Sequence, residues 1–377
     1  MAKNNDRIVI TESGEQFVRR TIAATIYSSY VKYEQLQMLV YNTYSNSSIA
    51  MATKLNVFID LYSVLHAIFS DKNRTIVEDY TDLVAGIINM CGHYRAFFRR
   101  LGVETKFYII FSFNTCDINR KFVAEYNDEF WHKINDTDKY KNIAQNNFEL
   151  LKVLCQYLPD IFFIESNKGF ESSVVISHII DKLHDGQPNL IISKDLYTIQ
   201  LCTLHPYTSF LRPIKGKDYA GRPIDCSKML PINEKYNYKR EFWDMVASLR
   251  GVKVENFSDL DPSNFPLLMA MTKFPERNLH KSITGIVKAS NAIRELGGID
   301  MKILPSRLYE HPTISSEVPV AKVESIYNTL DIPFMRQYYD LDSESKNITF
   351  VNMRDDSVLQ HINAKFFANN PLDFSRL

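Results

Sequence analysis

The chain has 377 residues, enough to bury a sizeable core in one large domain or two medium ones. Its 44 basic and 44 acidic side chains cancel, so no global field draws it to nucleic acid or membrane and any basic surface has to be local. No apolar run nears the roughly 18 residues that span a bilayer, the opening residues are polar, unlike a secretory leader, and the five cysteines are scattered, with no zinc knuckle or redox pair. These features predict a cytoplasmic or particle-bound protein, neither secreted nor in a membrane. Aromatics make up 12% of the chain, and with its frequent Asn and Ile this usage fits an AT-rich genome.

In chain order, residues 1–52 read as a helical extension, because Phe17, Ile22, Ile26, Tyr30, Tyr33, Leu36 and Val40 recur at three- and four-residue spacing. At Leu55 the pattern changes to a short apolar run, Leu55 to Ile59, closed by Asp60 and followed by helical spacing from Ser63 to Phe69. The same strand-then-helix unit recurs: Lys106 to Phe111 follows a helix over Tyr80 to Leu101, Asp160 to Ile164 follows Asn146 to Tyr157, and Asn189 to Ser193 follows Val174 to His184. Continuous apolar strands alternating with helices predict a parallel sheet covered on both faces, over residues 53–204. Residues 205–238 read as a long excursion or small ribbon. Helical spacing resumes over Arg240 to Arg250, Phe265 to Lys273 and Ser282 to Leu296, and a short strand and final helix over Thr349 to Leu377 close a mainly helical region, 205–377.

In open sheets of this kind chemistry sits just beyond the carboxyl ends of the strands. Those positions hold Asp60, Ser112, Glu171 and Asp195 with Tyr197. Three carboxylates brought to one rim repel unless protons or a divalent cation compensate, which is how a magnesium-dependent phosphodiester site is built. Asp is also a common helix cap at a strand-to-helix turn, so each acid has a structural reading beside the chemical one.

Five segments taken in order carry a resemblance. Val57-Phe58-Ile59-Asp60-Leu61, then Ile109-Ile110-Phe111-Ser112-Phe113-Asn114 with Arg120 and Tyr126, then Gly169-Phe170-Glu171-Ser172-Ser173-Val174, then Ile191-Ile192-Ser193-Lys194-Asp195-Leu196-Tyr197, and finally Arg250-Gly251-Val252-Lys253-Val254-Glu255-Asn256 resemble the 5′-3′ exonuclease and flap endonuclease family of PIN-like nucleases. The resemblance covers roughly residues 54 to 260. It implies a PIN-like α/β fold with a DNA-binding helical hairpin, Mg²⁺ or Mn²⁺ as cofactor, and a site made of Asp60, Glu171, Asp195 and Glu255, the first three holding the metal. The departures matter more than the matches. Ser112, Ser173, Val174 and Tyr197 stand where the family carries acids, and Phe257 to Phe274 contains no glycine for a phosphate-gripping turn. With about half its anionic ligands gone, the rim is expected to hold magnesium weakly or not at all.

Charge points the same way. Residues 117–152, the place of the family's arch, carry six basic side chains, Arg120 and Lys121 among them, against seven acidic ones. The stretch 205–253 carries ten basic against five acidic, and 270–294 five against one, with Lys273, Arg277, Lys281, Lys288 and Arg294 spaced to follow a duplex. A solvated face is the competing reading of both. His66, His93, His132 and His178 have no zinc-type spacing, and no Gly-rich phosphate loop or Gly-x-Ser-x-Gly elbow occurs.

Three functions follow. The first is a degenerate 5′-nuclease-like protein of viral, phage-like origin that binds DNA or viral partner proteins without cutting. The second is an active divergent magnesium nuclease using Asp60, Glu171, Asp195 and Glu255, with Arg120 or Lys121 contacting the scissile phosphate. The third is a structural subunit of a viral particle or polymerase assembly, for which the Tyr- and Phe-rich N-terminal helix supplies interface anchors.

Overall fold

The computed structural model describes residues 53–61, 87, 91–92, 94–96, 98–112, 151, 155, 158, 160–166, 171–183, 185–193, 195–205, 207–212, 228–230, 238–272, 283–297, 300–338 and 348–351. The predicted N-terminal helix, Arg120, Lys121, Lys273, Arg277, Lys281 and the closing helix all lie outside them.

Seven strands form one sheet: β1 (Lys54–Asp60), β2 (Glu104–Ser112), β3 (Ile161–Ser166), β4 (Asn189–Ile192), β5 (Thr208–Arg212), β6 (Lys228–Leu230) and β7 (Ile348–Val351). Their order is β6-β5-β4-β1-β2-β3-β7. The five inner strands pair in parallel, while β6 and β7 close the edges antiparallel. The expected α/β class holds. β1 explains why its run is apolar without alternation: every residue after Lys54 is buried, as a strand covered on both faces requires.

The sheet runs past residue 204. β5 falls in the stretch that reads as a long excursion or small ribbon, where only Phe210 and Leu211 of its five residues are apolar. It pairs parallel to β4, and β6 returns beside it, so the expected small ribbon is the sheet's own edge. Asp160, expected to open β3, instead occupies a left-handed conformation (φ 61°) one residue before it.

Local devices fix these strands. The helical residues ending at 100 stop in a glycine cap: Val103 N–H donates to Phe98 O at 3.0 Å and Gly102 N–H to Arg99 O at 3.0 Å, with Gly102 at φ 77°. Glycine adopts that conformation at least cost, and β2 starts directly after it. At the amino edge a polar row crosses three paired strands: Asn56 Nδ2 donates to Asn189 Oδ1 (3.4 Å) and to Asp185 Oδ2 (3.1 Å), and Asn189 Nδ2 to Thr208 Oγ1 (3.3 Å). A one-residue slip breaks every one of these bonds, so the row specifies register.

The helical half packs on the sheet through one continuous core. Helix α1 (Ser172–Leu183) follows β3; a 3₁₀ turn (Leu196–Gln200) and α2 (Leu201–Leu204) follow β4. Beyond β6 come α3 (Tyr238–Arg250), α4 (Phe265–Met271), α5 (Ile286–Gly297), α6 (Pro312–Glu317), α7 (Val320–Leu330) and α8 (Ile332–Tyr338). All seven residues of α4 are buried, which makes it the helical half's centre rather than a surface helix. Trp243 of α3 donates Nε1–H to Leu260 O at 2.7 Å and meets Phe242 and Phe257 edge-on, its polar edge thus satisfied inside an apolar cluster. No helix among the described residues is long and apolar enough to cross a membrane.

Candidate functional site

The strand order locates the site before any side chain is considered. The chain lays down β1, β2 and β3 in one direction, then jumps back across β1 to place β4 and β5 on the other side. The order reverses between β1 and β4, and in open α/β sheets the crevice beyond the carboxyl ends at such a reversal is where ligands bind. Asp60 ends β1. Ser193 directly follows β4.

Asp60 is 2% exposed and Ser193 0%. Ser193 Oγ–H donates to Asp60 Oδ2 at 2.7 Å, across the reversal. The same oxygen accepts Asp195 N–H at 3.0 Å and the Thr198 hydroxyl at 3.4 Å. Asp195 has extended backbone angles and its Oδ1 accepts Tyr197 N–H at 3.0 Å, which makes it the cap of the 3₁₀ turn. The structural reading of that acid is the one its geometry supports.

Glu171 is buried at the entry to α1, where its carbonyl accepts Val175 N–H at 3.1 Å and opens the helix. Ser112 ends β2 on the same edge, two residues past the register partner of Asp60. Glu255 is exposed on a 3₁₀ turn, Val254–Asn256, beyond α3. Two positions where the resemblance implies acids are core instead: Val174 is 2% exposed, and Tyr197, at 1%, sets its ring edge-on to Phe265 with centroids 6.0 Å apart.

These positions decide how well the residues suit a divalent ion. Magnesium requires several oxygen ligands at about 2.1 Å in octahedral array. Among the described residues no group of three or more His, Cys, Asp and Glu side chains gathers closely enough to hold one ion. Parallel strands and α1 bring Asp60, Asp195 and Glu171 to one edge of the sheet, but not into a common ligand set. Among the described residues the donor set does not fit the ion that the resemblance implies.

Two of the expected DNA contacts are engaged within the protein. Lys288 of α5 pairs with Glu317 of α6. Arg294 holds Asp259 in a fork, Nε to Oδ2 at 2.7 Å and Nη2 to Oδ1 at 2.6 Å, and Nη2 also donates to Asn256 O. The guanidinium keeps the Asp259 carboxyl below its usual range, chiefly through these hydrogen bonds. Both basic residues balance acids that are remote in sequence, so local charge counts gave no sign of the pairing.

No protein-family model matches the chain, and no characterised protein matches it by sequence. Solved structures do match in arrangement. A crystal structure of the bacteriophage T5 flap endonuclease in complex with DNA and metal ions aligns over 82% of this chain and 99% of its own, with TM-score 0.48 and 15% identity. The T5 5′-exonuclease with bound zinc aligns over 83% and 98%, with TM-score 0.45 and 16% identity. Human GEN1 in complex with Holliday junction DNA aligns over 83% of this chain and 68% of its own, with TM-score 0.40 and 11% identity. At such scores the case for function has to come from this chain's own residues.

Proposed function

We propose that this chain is a degenerate relative of the 5′-nucleases that binds DNA and does not cut it. The observation that carries the reading is the fate of the rim. Where the ordered motifs imply carboxylates, Val174 and Tyr197 are buried parts of the hydrophobic core, and Asp195 spends its carboxylate on capping a turn. A phosphodiester site needs several anionic ligands around its metal, and that rim has fewer of them than the ordered motifs imply.

Binding rests on the basic excess of residues 205–253 and 270–294, in which Arg240 and Lys253 are exposed. Because Lys288 and Arg294 are paired internally and Arg240 pairs with Asp244 on its own helix, the phosphate contacts fall to Lys273, Arg277 and Lys281 together with Lys253. Contact with phosphates releases counterions, so affinity falls steeply with salt. Fluorescence anisotropy on 5′-flap, nicked and single-stranded DNA, in EDTA and at several salt concentrations, tests this. Salt-dependent binding is expected. If the chain co-purifies with a partner protein and has no affinity for any of these DNAs, the reading as a structural subunit of a viral particle or polymerase assembly replaces it.

A further inference from the structure

Ser193 has one hydroxyl proton and two acceptor lone pairs, and all three are used: it donates to Asp60 and accepts from Asp195 N–H and Thr198 Oγ. The hydrogen bonds lie across the crevice at the strand-order reversal, where a ligand of an open sheet would enter. What they fix is the 3₁₀ turn. At one end of that turn Tyr197 packs on Phe265, which in turn meets Phe242 and Trp243 of α3. At the other end Gln200 Nε2 donates to Leu330 O, the last residue of α7, at 2.7 Å in a buried contact.

We infer that two of the surviving acids of this rim, Asp60 and Asp195, are structural. Asp60, Ser193, Thr198 and Asp195 form a clasp, independent of any metal, that fixes the turn at Leu196–Gln200 and thereby fastens α4 and α7 to the sheet. The element that would present ligands to a metal in a nuclease here joins the two halves of the protein. This deepens the binding-without-cutting reading on which it rests, because it gives Asp60 and Asp195 a function that needs neither metal nor substrate.

Thermal unfolding of the full chain, in EDTA and then in about 10 mM Mg²⁺ or about 1 mM Mn²⁺, tests the clasp. A site filled at roughly 100 times its Kd raises the midpoint by several degrees. The expected shift is less than about 1 °C in either metal, within the error of such a scan. Ser193→Ala, which removes the hub and leaves a buried carboxylate without its hydroxyl donor, is expected to lower the midpoint by about 3 °C. Asp60→Asn keeps an acceptor for Ser193 and is expected to stay within about 2 °C of the parent. A metal-induced rise that Asp60→Asn abolishes overturns the inference, as does a Ser193→Ala midpoint equal to the parent's. The metal titration needs only the unaltered chain, so it stands even where a variant fails to fold. A protein that binds DNA, leaves it uncut and still gains stability from Mn²⁺ through Asp60 loses the clasp and keeps the function.

Discussion

Ser177 Oγ and His205 Nε2 lie 2.8 Å apart in the protein interior, and His205 Nδ1 is 3.2 Å from Asp181 Oδ1. Arg336 of α8 closes the group, donating from Nη1 to Ser177 Oγ at 3.1 Å and pairing with Asp181. The connectivity is that of a nucleophile, base and acid, but a nucleophile has to meet its substrate and Ser177 is 1% exposed. The group instead joins α1, α2 and α8. Incubation with a fluorophosphonate is expected to leave Ser177 unlabelled, with intact mass as the readout.

The same cluster sets a pH dependence. Burial lowers the His205 pKa below its ordinary 6.5, and Arg336 lowers it further, while Asp181 opposes them. A depressed folded-state pKa means that the unfolded chain takes up the proton more readily, so the stability contributed is complete above pH 6.5 and is lost as pH falls through the folded value. The unfolding midpoint is expected to fall between pH 7 and pH 5, and His205→Gln to flatten that part of the profile.

Arg294 separates a structural cation from a DNA contact. Its fork on Asp259 is only part-buried, so Arg294→Ala is expected to cost about 1 kcal/mol in urea unfolding. Lysine cannot reproduce the two-pronged contact, so Arg294→Lys should recover little of it. Neither variant is expected to change the salt slope of DNA binding, since the guanidinium is already engaged within the protein.

Lys302 and Asp331 tie the approach to a further 3₁₀ turn, Pro305–Glu310, to the end of α7. The ammonium donates to both carboxylate oxygens, at 3.1 and 2.9 Å, and lies 5.7 Å from the Tyr327 ring centroid. Asp331 is 6% exposed, so Lys302→Met leaves a buried anion unpaired. Allowing for the partly exposed lysine, a loss of about 2 kcal/mol is expected by chemical denaturation.

Tyr197→Asp restores an acid where the family carries one, and it separates a degraded rim from a dormant one. The new carboxylate would face Phe265 inside the core, and a destabilisation of about 4 kcal/mol or more is expected, with no gain of nuclease activity. Activity in Mg²⁺ with normal stability is the opposite result.

β1 to β4 were legible because a parallel sheet buried on both faces leaves continuous apolar runs, and Asp60 and Asp195 stand at or just past the ends of two of them. β5 was not legible, since only Phe210 and Leu211 of its five residues are apolar, which leaves no continuous run to stand out from a loop. The short helices between Pro305 and Tyr338 are broken by Pro312, Pro319 and Pro333, so no long period marks them. The partners of each acid were hidden for a different reason. Asp195 as a cap and Asp195 as a ligand have the same sequence, and only the Tyr197 amide distinguishes them. Ser193 was read as a strand-end residue; its role as the hub depends on Asp60, 133 positions away.

Cleavage of 5′-flap, nicked and single-stranded DNA by the purified full chain, with Mg²⁺ and with Mn²⁺, bears most directly on binding without cutting. Substrates bound and left intact in both metals are the expected result. Metal-dependent hydrolysis that Asp60→Ala abolishes contradicts it and restores the rim as a catalytic site.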